Sequence, residues 1–262
     1  MRRGMMHGMD GFGTAVREWR ERRRLSQLDL ALRAGTTQRH LSYLERGRSV
    51  PGRGMVIRLA ESLDLPLRER NELLGAAGFV PAYAQTRLDD PALGVVHEAL
   101  QRILDGHQPY PAIVIDRYGE IVARNQASDL LIEGAAPELL EPPLNALRIA
   151  LHPKGMAPRI RNAAEWSQHV LRRLRLDSTR NPDPKLSALL AELETYVPEA
   201  IPAEDTQLGF AVPLRLAHGD DELCLVTTIT SFATAIDVTV AELKLEAFLP
   251  LDELTASILR AG

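Results

Sequence analysis

The sequence predicts an all-α N-terminal domain of five short helices, followed by an α+β domain built on an antiparallel sheet. Three observations carry that prediction. Up to Leu74, apolar residues return every three or four positions, with no alternating run. After Pro111, stretches such as AIVIDRYGEIVARN and ELCLVTTITSF gather β-branched residues around turn signals. Charge divides the chain in the same way: residues 1–88 hold 16 Lys/Arg and 9 Asp/Glu, a net +7, while residues 89–262 hold 15 and 26, a net −11. A basic head on an acidic body points to a polyanion as the head's partner.

The head reads in order. FGTAVREWRERRR is a helix that buries Phe12, Val16 and Trp19. Ser26 caps SQLDLALRA, whose Leu28, Ala31 and Leu32 are expected to face inward, and Gly35 supplies the positive-φ stop. Thr37 caps a third helix within TTQRHLSYLERG, in which Leu41 and Leu44 share one face. Pro51, Gly52 and Gly54 form the loop before MVIRLAESL, and Pro66 opens a fifth helix, LRERNELLGAAG. The expected division is a head over residues 1–80, a linker over 81–92 (PAYAQTRLDDPA) and a second domain over 93–262.

In that second domain, Tyr118-Gly119 marks a hairpin. Helices are expected near 126–133, 144–151, 163–176 and 185–195. Leu208, Phe210, Val212, Leu214 and Leu216 alternate as a strand, and the turn at His218-Gly219-Asp220-Asp221 leads into ELCLVTTITSF. Apolar and Thr residues on both faces of that second strand predict a central, covered position. VAELKLEAFLP is expected as a closing helix.

Several classes are excluded or disfavoured. One cysteine, Cys224, rules out an internal disulfide framework and a multi-cysteine zinc site, so no metal is expected. No 18-residue apolar run and no signal-peptide pattern is present, which predicts a cytoplasmic protein without membrane insertion. G-x-S-x-G, H-E-x-x-H, P-loop and G-x-G-x-x-G motifs are absent, so no catalytic residue is assigned and an enzyme is not expected.

Two helices joined by a Gly-containing turn, the second capped by Thr and turning polar side chains outward, form the helix-turn-helix arrangement that fits the major groove of double-stranded DNA. Gln38 and Arg39 stand at the helix start, with Ser42 and Tyr43 one turn on, as candidate base contacts. Gln suits adenine and Arg suits guanine, each pair giving roughly 1–3 kcal/mol of discrimination. Gln27 and Thr37, at the amide ends of their helices, are candidate phosphate contacts.

LSQLDLALRAGTTQRHLSYLERGRSVP resembles the Xre/Cro family of repressors, with their lambda-repressor-like helical head. The resemblance implies base contacts at Gln38, Arg39 and Tyr43, phosphate-side positions at Gln27, Thr37, Arg46 and Arg53, and a buried pair between Arg20 and Glu45. LLGAAGFVPAY, LDDPAL, YPAIVIDRYGEIVARN, PPLNALRIALHP and DVTVAELKLEAFLP together resemble the MmyB-like transcription regulators. That resemblance implies a PAS-like ligand-binding domain, an antiparallel sheet with helices over one face, and a fatty acid as ligand. Asn145, Arg148 and His152 fall on roughly one helical face and could seat a carboxylate, with Val114, Leu225 and Ile229 near its chain. The alternative is structural: Arg148 pairs with a local glutamate and His152 caps its helix before Pro153. The leading expectation is a homodimeric, ligand-responsive transcription regulator, since dimer symmetry supplies two half-sites. Alternatives are a tail that is a protein-interaction or dimerisation module without a ligand, or a small-molecule enzyme fused to a DNA reader.

Overall fold

Helix α1 (Arg3–Arg22) lays Phe12, Val16 and Trp19 into a core shared with α2 (Gln27–Arg33), α3 (Gln38–Glu45), α4 (Arg53–Ser62) and α5 (Leu67–Ala76). The computed structural model describes residues 3–197, 211–232 and 234–261. Contacts divide the chain into two units, Met1–Arg87 with Thr234–Ala241, and Leu88–Ala233 with Glu242–Gly262.

The caps of the head fall where turn chemistry puts them. The Ser26 hydroxyl accepts from Asp29 N while the Asp29 carboxylate accepts from Ser26 N, a reciprocal box that sets the phase of α2. That phase turns Leu30, Ala31 and Ala34 into the core and leaves Leu28 and Leu32 exposed, at 50% and 69%, correcting the inward face expected for those two leucines. Gly35 takes φ +62°, a conformation that L side chains avoid, and the chain turns into α3. The head unit also takes in α11 (Val238–Ala241), a short helix from far along the sequence.

The second unit holds α6 (Gly94–Gly106), β1 (Ala112–Ile115), β2 (Ile121–Arg124), α7 (Asp129–Ile132), α8 (Ala146–Leu151), α9 (Ala163–Arg180), α10 (Pro184–Glu194), β3 (Leu214–His218), β4 (Asp221–Ser231), β5 (Lys244–Pro250) and α12 (Glu253–Ala261). The five strands form one antiparallel sheet in the order β2-β1-β5-β4-β3. Alternation along the strands builds two cores. Ile113, Ile115, Leu214, Leu216, Leu223, Leu225 and Phe248 pack with residues of α8, α9 and α10, whereas Ala112, Val114, Leu245 and Ala247 pack with Leu100 and Leu104 of α6. The sheet is therefore covered on both faces, not on one.

Further expectations are corrected. KLEAFLP is strand β5, not helix. It lies between β1 and β4, so both rows of its backbone groups are paired and both its faces are buried, and this overrides a composition rich in Leu, Ala, Lys and Glu. The last helix is α12 instead. Helix α6 was not expected at all, although Val96, Leu100 and Leu104 lie at i, i+4 and i+8. Among the described residues of the alternating run from Leu208, Leu214 and Leu216 lie in β3 and Val212 lies before it; Leu208 and Phe210 fall outside the described residues. β4 has its interior position between β5 and β3, but its covering ends beyond Leu225, and Thr228 to Ser231 are exposed.

Candidate DNA-reading helix and ligand cavity

Helix α3 exists because Thr37 starts it and two leucines hold it. The Thr37 hydroxyl accepts from His40 N at 3.1 Å, and Leu41 and Leu44 are fully buried. With that face fixed, Gln38 and Arg39 are exposed at the N-terminal end and Ser42 and Tyr43 are half-buried one turn on. Arg39 and Arg46 both lie over the Tyr43 ring, 5.5 and 5.8 Å from its centroid, and Arg39 Nε donates to the Tyr43 hydroxyl at 3.1 Å. Arg46 donates to the Ser42 carbonyl at 2.9 Å and to the Ser42 hydroxyl. Thus the polar face is a preassembled cluster of two guanidiniums on one aromatic ring. Arg53 is exposed in the first turn of α4, and Gln27 is half-buried, its amide donating to Glu45 at 2.7 Å.

Behind this face, Glu45 accepts from Arg20 Nε at 2.6 Å and Arg20 Nη2 at 3.1 Å. The paired carboxylate raises the Arg20 pKa, through this hydrogen bond first and against desolvation. One residue here went unread in the sequence. A Cβ on Gly13 would lie 2.6 Å from the Leu44 carbonyl oxygen and 2.8 Å from that of Glu45, so only glycine lets α1 cross the end of α3 at this distance.

The second unit holds a partly open cavity of about 240 Å³ between the sheet and α7, α8 and α9. Ile113, Ile121 and Phe248 form its sheet side, and Leu131, Leu147, Ile149, Trp166 and Val170 its helical side. Four ionisable groups also line it: Arg124, His169, Arg173 and Glu246. Arg124 and Glu246 are both register partners of Ile113, which places all three on one face of the sheet. Arg173 Nη2 donates to Glu246 at 2.7 Å, and Arg124 donates to Ser128 at 3.2 Å and to the Asp129 carboxylate. Burial pushes the His169 imidazole below its ordinary pKa, and the charges of Arg173 and Arg172 push it the same way.

None of the six residues singled out as ligand contacts lines this cavity. Asn145 caps α8, accepting from Leu147 N and Arg148 N and donating to the Tyr118 carbonyl. Arg148 makes a bidentate pair with Glu192 of α10 at 2.6 and 2.7 Å. Its carboxylate partner also accepts from the Tyr196 hydroxyl, and the Tyr196 ring meets the edge of His152 at 4.7 Å between centroids. These side chains join α8 to α10. Val114 points to the α6 face, opposite to Leu225, while Ile229 is 41% exposed. No spacing in the sequence points to Arg124, His169, Arg173 and Glu246, which come from two strands and one helix far apart along the chain. Cys224 is a free, half-buried thiol whose pKa burial raises. Among the described residues no three His, Cys, Asp or Glu side chains gather as a metal site, and no helix is long and apolar enough to cross a membrane.

With this geometry in place, similarity to known proteins follows the same division. Residues 96–261 match the MmyB-like transcription regulator ligand binding domain, and residues 16–70 match a helix-turn-helix domain. The chain belongs to the MmyB-like family. An uncharacterized HTH-type transcriptional regulator of Sinorhizobium fredii, y4dL, is 42% identical over 52 residues, 20% of this chain. The match spans 26% of that relative's length. The crystal structure of the clp gene regulator ClgR from Corynebacterium glutamicum covers 39% of this chain and 95% of its own at 22% identity, with a TM-score of 0.24.

Proposed function

We propose that the protein is a cytoplasmic, homodimeric, sequence-specific DNA-binding transcription regulator whose second unit senses a small apolar ligand, a fatty acid. The observation that carries the DNA-binding half is the outward face of α3: capped by Thr37, fixed by Leu41 and Leu44, and crowned by Arg39 and Arg46 on Tyr43. In this reading Gln38, Arg39, Ser42 and Tyr43 contact base edges, and Gln27, Thr37, Arg46 and Arg53 contact phosphates. Arg46 and Gln27 exchange their internal partners, Ser42 and Glu45, for phosphate oxygens. Two copies related by a two-fold axis meet two half-sites.

The ligand half rests on a mostly apolar cavity with two guanidiniums at its polar side. At about 240 Å³ the cavity is smaller than most ligand cavities, which run roughly 300–1,000 Å³, and this favours a single small ligand. The carboxylate belongs at Arg173 and Arg124, because both guanidiniums line the cavity, whereas Arg148 lies outside its lining and holds Glu192. Native mass spectrometry of freshly purified protein tests the dimer and the ligand together. A dimer carrying one acyl chain per protomer is expected; a monomer would remove the two half-site arrangement, and delipidated protein that takes up no acyl chain in calorimetry would remove the ligand.

A further inference from the structure

The strands that wall the cavity run into a segment that is part of the head. Val226 and Thr227 of β4 and Glu246 and Phe248 of β5 line the cavity. Between these strands the chain leaves the second unit, contributes Thr234–Ala241 to the head unit, and returns. Within the head that segment is bonded, not merely adjacent. Asp237 accepts from Thr86 N at 3.1 Å and from the Thr86 hydroxyl at 2.6 Å. Val238 N donates to the Ala84 carbonyl at 2.8 Å, and the Val238 side chain is 1% exposed. Asp237 also accepts from Thr239 N and Val240 N, which starts α11. Residues 82–83 are held in turn by Asn71 of α5, whose side chain bonds Ala82 N, Tyr83 N and the Tyr83 carbonyl.

We infer that the Thr234–Ala241 segment, fastened through Asp237 to Thr86, transmits the state of the cavity to the DNA-binding head. This inference rests on the ligand-sensing reading above and adds the route of regulation. The push is chemical. An anionic ligand competes with Glu246 for Arg173, two lining residues paired at 2.7 Å. Releasing Glu246 alters β5 just after the chain re-enters the sheet at Lys244, whose partner in β4 is Ser231. The two ends of the segment are thereby tied to the strands that feel the ligand, and its middle is tied to the head. A ligand shifts a two-state equilibrium only as far as its affinities for the two states differ, and the head then reports that difference as altered DNA affinity.

The test uses the full chain, sodium dodecanoate as probe, and an operator duplex selected from a random library by the wild-type protein. Dodecanoate should change wild-type operator affinity by about fivefold or more, a typical coupling. Asp237→Ala and Thr86→Val should each reduce that change to about twofold or less, while dodecanoate affinity and base preference stay as in wild type. Full coupling in both variants overturns the inference. If wild type binds no dodecanoate, the ligand reading fails separately, and Ala150→Leu, which fills the cavity without any ligand, carries the test. Hydrogen exchange at the Val238 and Thr86 amides should then differ between Ala150→Leu and wild type; unchanged exchange at both amides overturns the route.

Discussion

Glu45 and Arg20 form a two-armed ion pair, at 2.6 and 3.1 Å, in which the Glu45 side chain is only 2% exposed. The same carboxylate accepts from Gln27, so α1, α2 and α3 meet on one anion. Removing one partner of a buried pair leaves the other uncompensated, which costs about 3–5 kcal/mol. Glu45→Ala should therefore lower the unfolding free energy of the head by about 3 kcal/mol in a urea titration. A loss under about 1 kcal/mol would make the pair a surface interaction.

Gly13 gives a second stability prediction. An added methyl meets two backbone carbonyls, which cannot rotate away as a side chain would. Gly13→Ala should destabilise the head by about 1–3 kcal/mol, despite alanine's better helix propensity. A thermal melt at or above the wild-type midpoint would show that α1 and α3 separate freely at this crossing.

Arg148 and Arg173 should behave oppositely. Arg148→Met is expected to leave dodecanoate binding unchanged in calorimetry and to cost at most about 1 kcal/mol of stability, since its pair with Glu192 is part-exposed. Arg173→Met should weaken dodecanoate by about tenfold or more, the value of a charge-assisted bond. The Arg148 hydrogen bond holds the Glu192 pKa below the ordinary carboxylate range. Its folded value is thus below the unfolded value of about 4.3, so the pair's contribution is complete above that pH and is lost as pH falls through the folded value. Arg148→Met should flatten that part of the acid-unfolding curve.

His169 should make ligand affinity depend on pH. Burial and the neighbouring arginines keep its imidazole neutral near pH 7. Because its folded pKa lies below the unfolded value of about 6.5, its contribution to stability is present above that pH and is lost as pH falls toward the folded value. An anion in the cavity favours the imidazolium, so binding takes up a proton and dodecanoate should bind more tightly as pH falls from about 8 to about 5.5. In His169→Gln the dependence should disappear; if the slope persists there, the proton goes elsewhere.

The head was legible in the sequence because its signals are local. Ser26, Gly35 and Thr37 each act on their nearest neighbours, and the structure keeps all three roles. Leu28 and Leu32 misled because a leucine pair at i and i+4 looks like a core face, whereas the phase of α2 is set by its cap. In the second unit the hairpin around Gly119 was readable, but β5 was not, since its strand character comes from β1 and β4 on either side of it. The cavity was hidden for the same reason. Arg124, Arg173 and Glu246 converge only through sheet register and the packing of α9, which no spacing along the chain encodes.

The central claim, that α3 reads DNA sequence, is tested most directly by selecting binding sites from a random duplex library with the full chain and with Arg39→Ala. The wild-type chain should enrich one motif, arranged as two half-sites about one helical turn apart. In Arg39→Ala, preference should be lost at one base pair of each half-site, at a cost of roughly 1–3 kcal/mol for that contact, while general, salt-sensitive DNA binding persists. No enriched motif for wild type, or the same motif at undiminished preference for Arg39→Ala, would contradict the account.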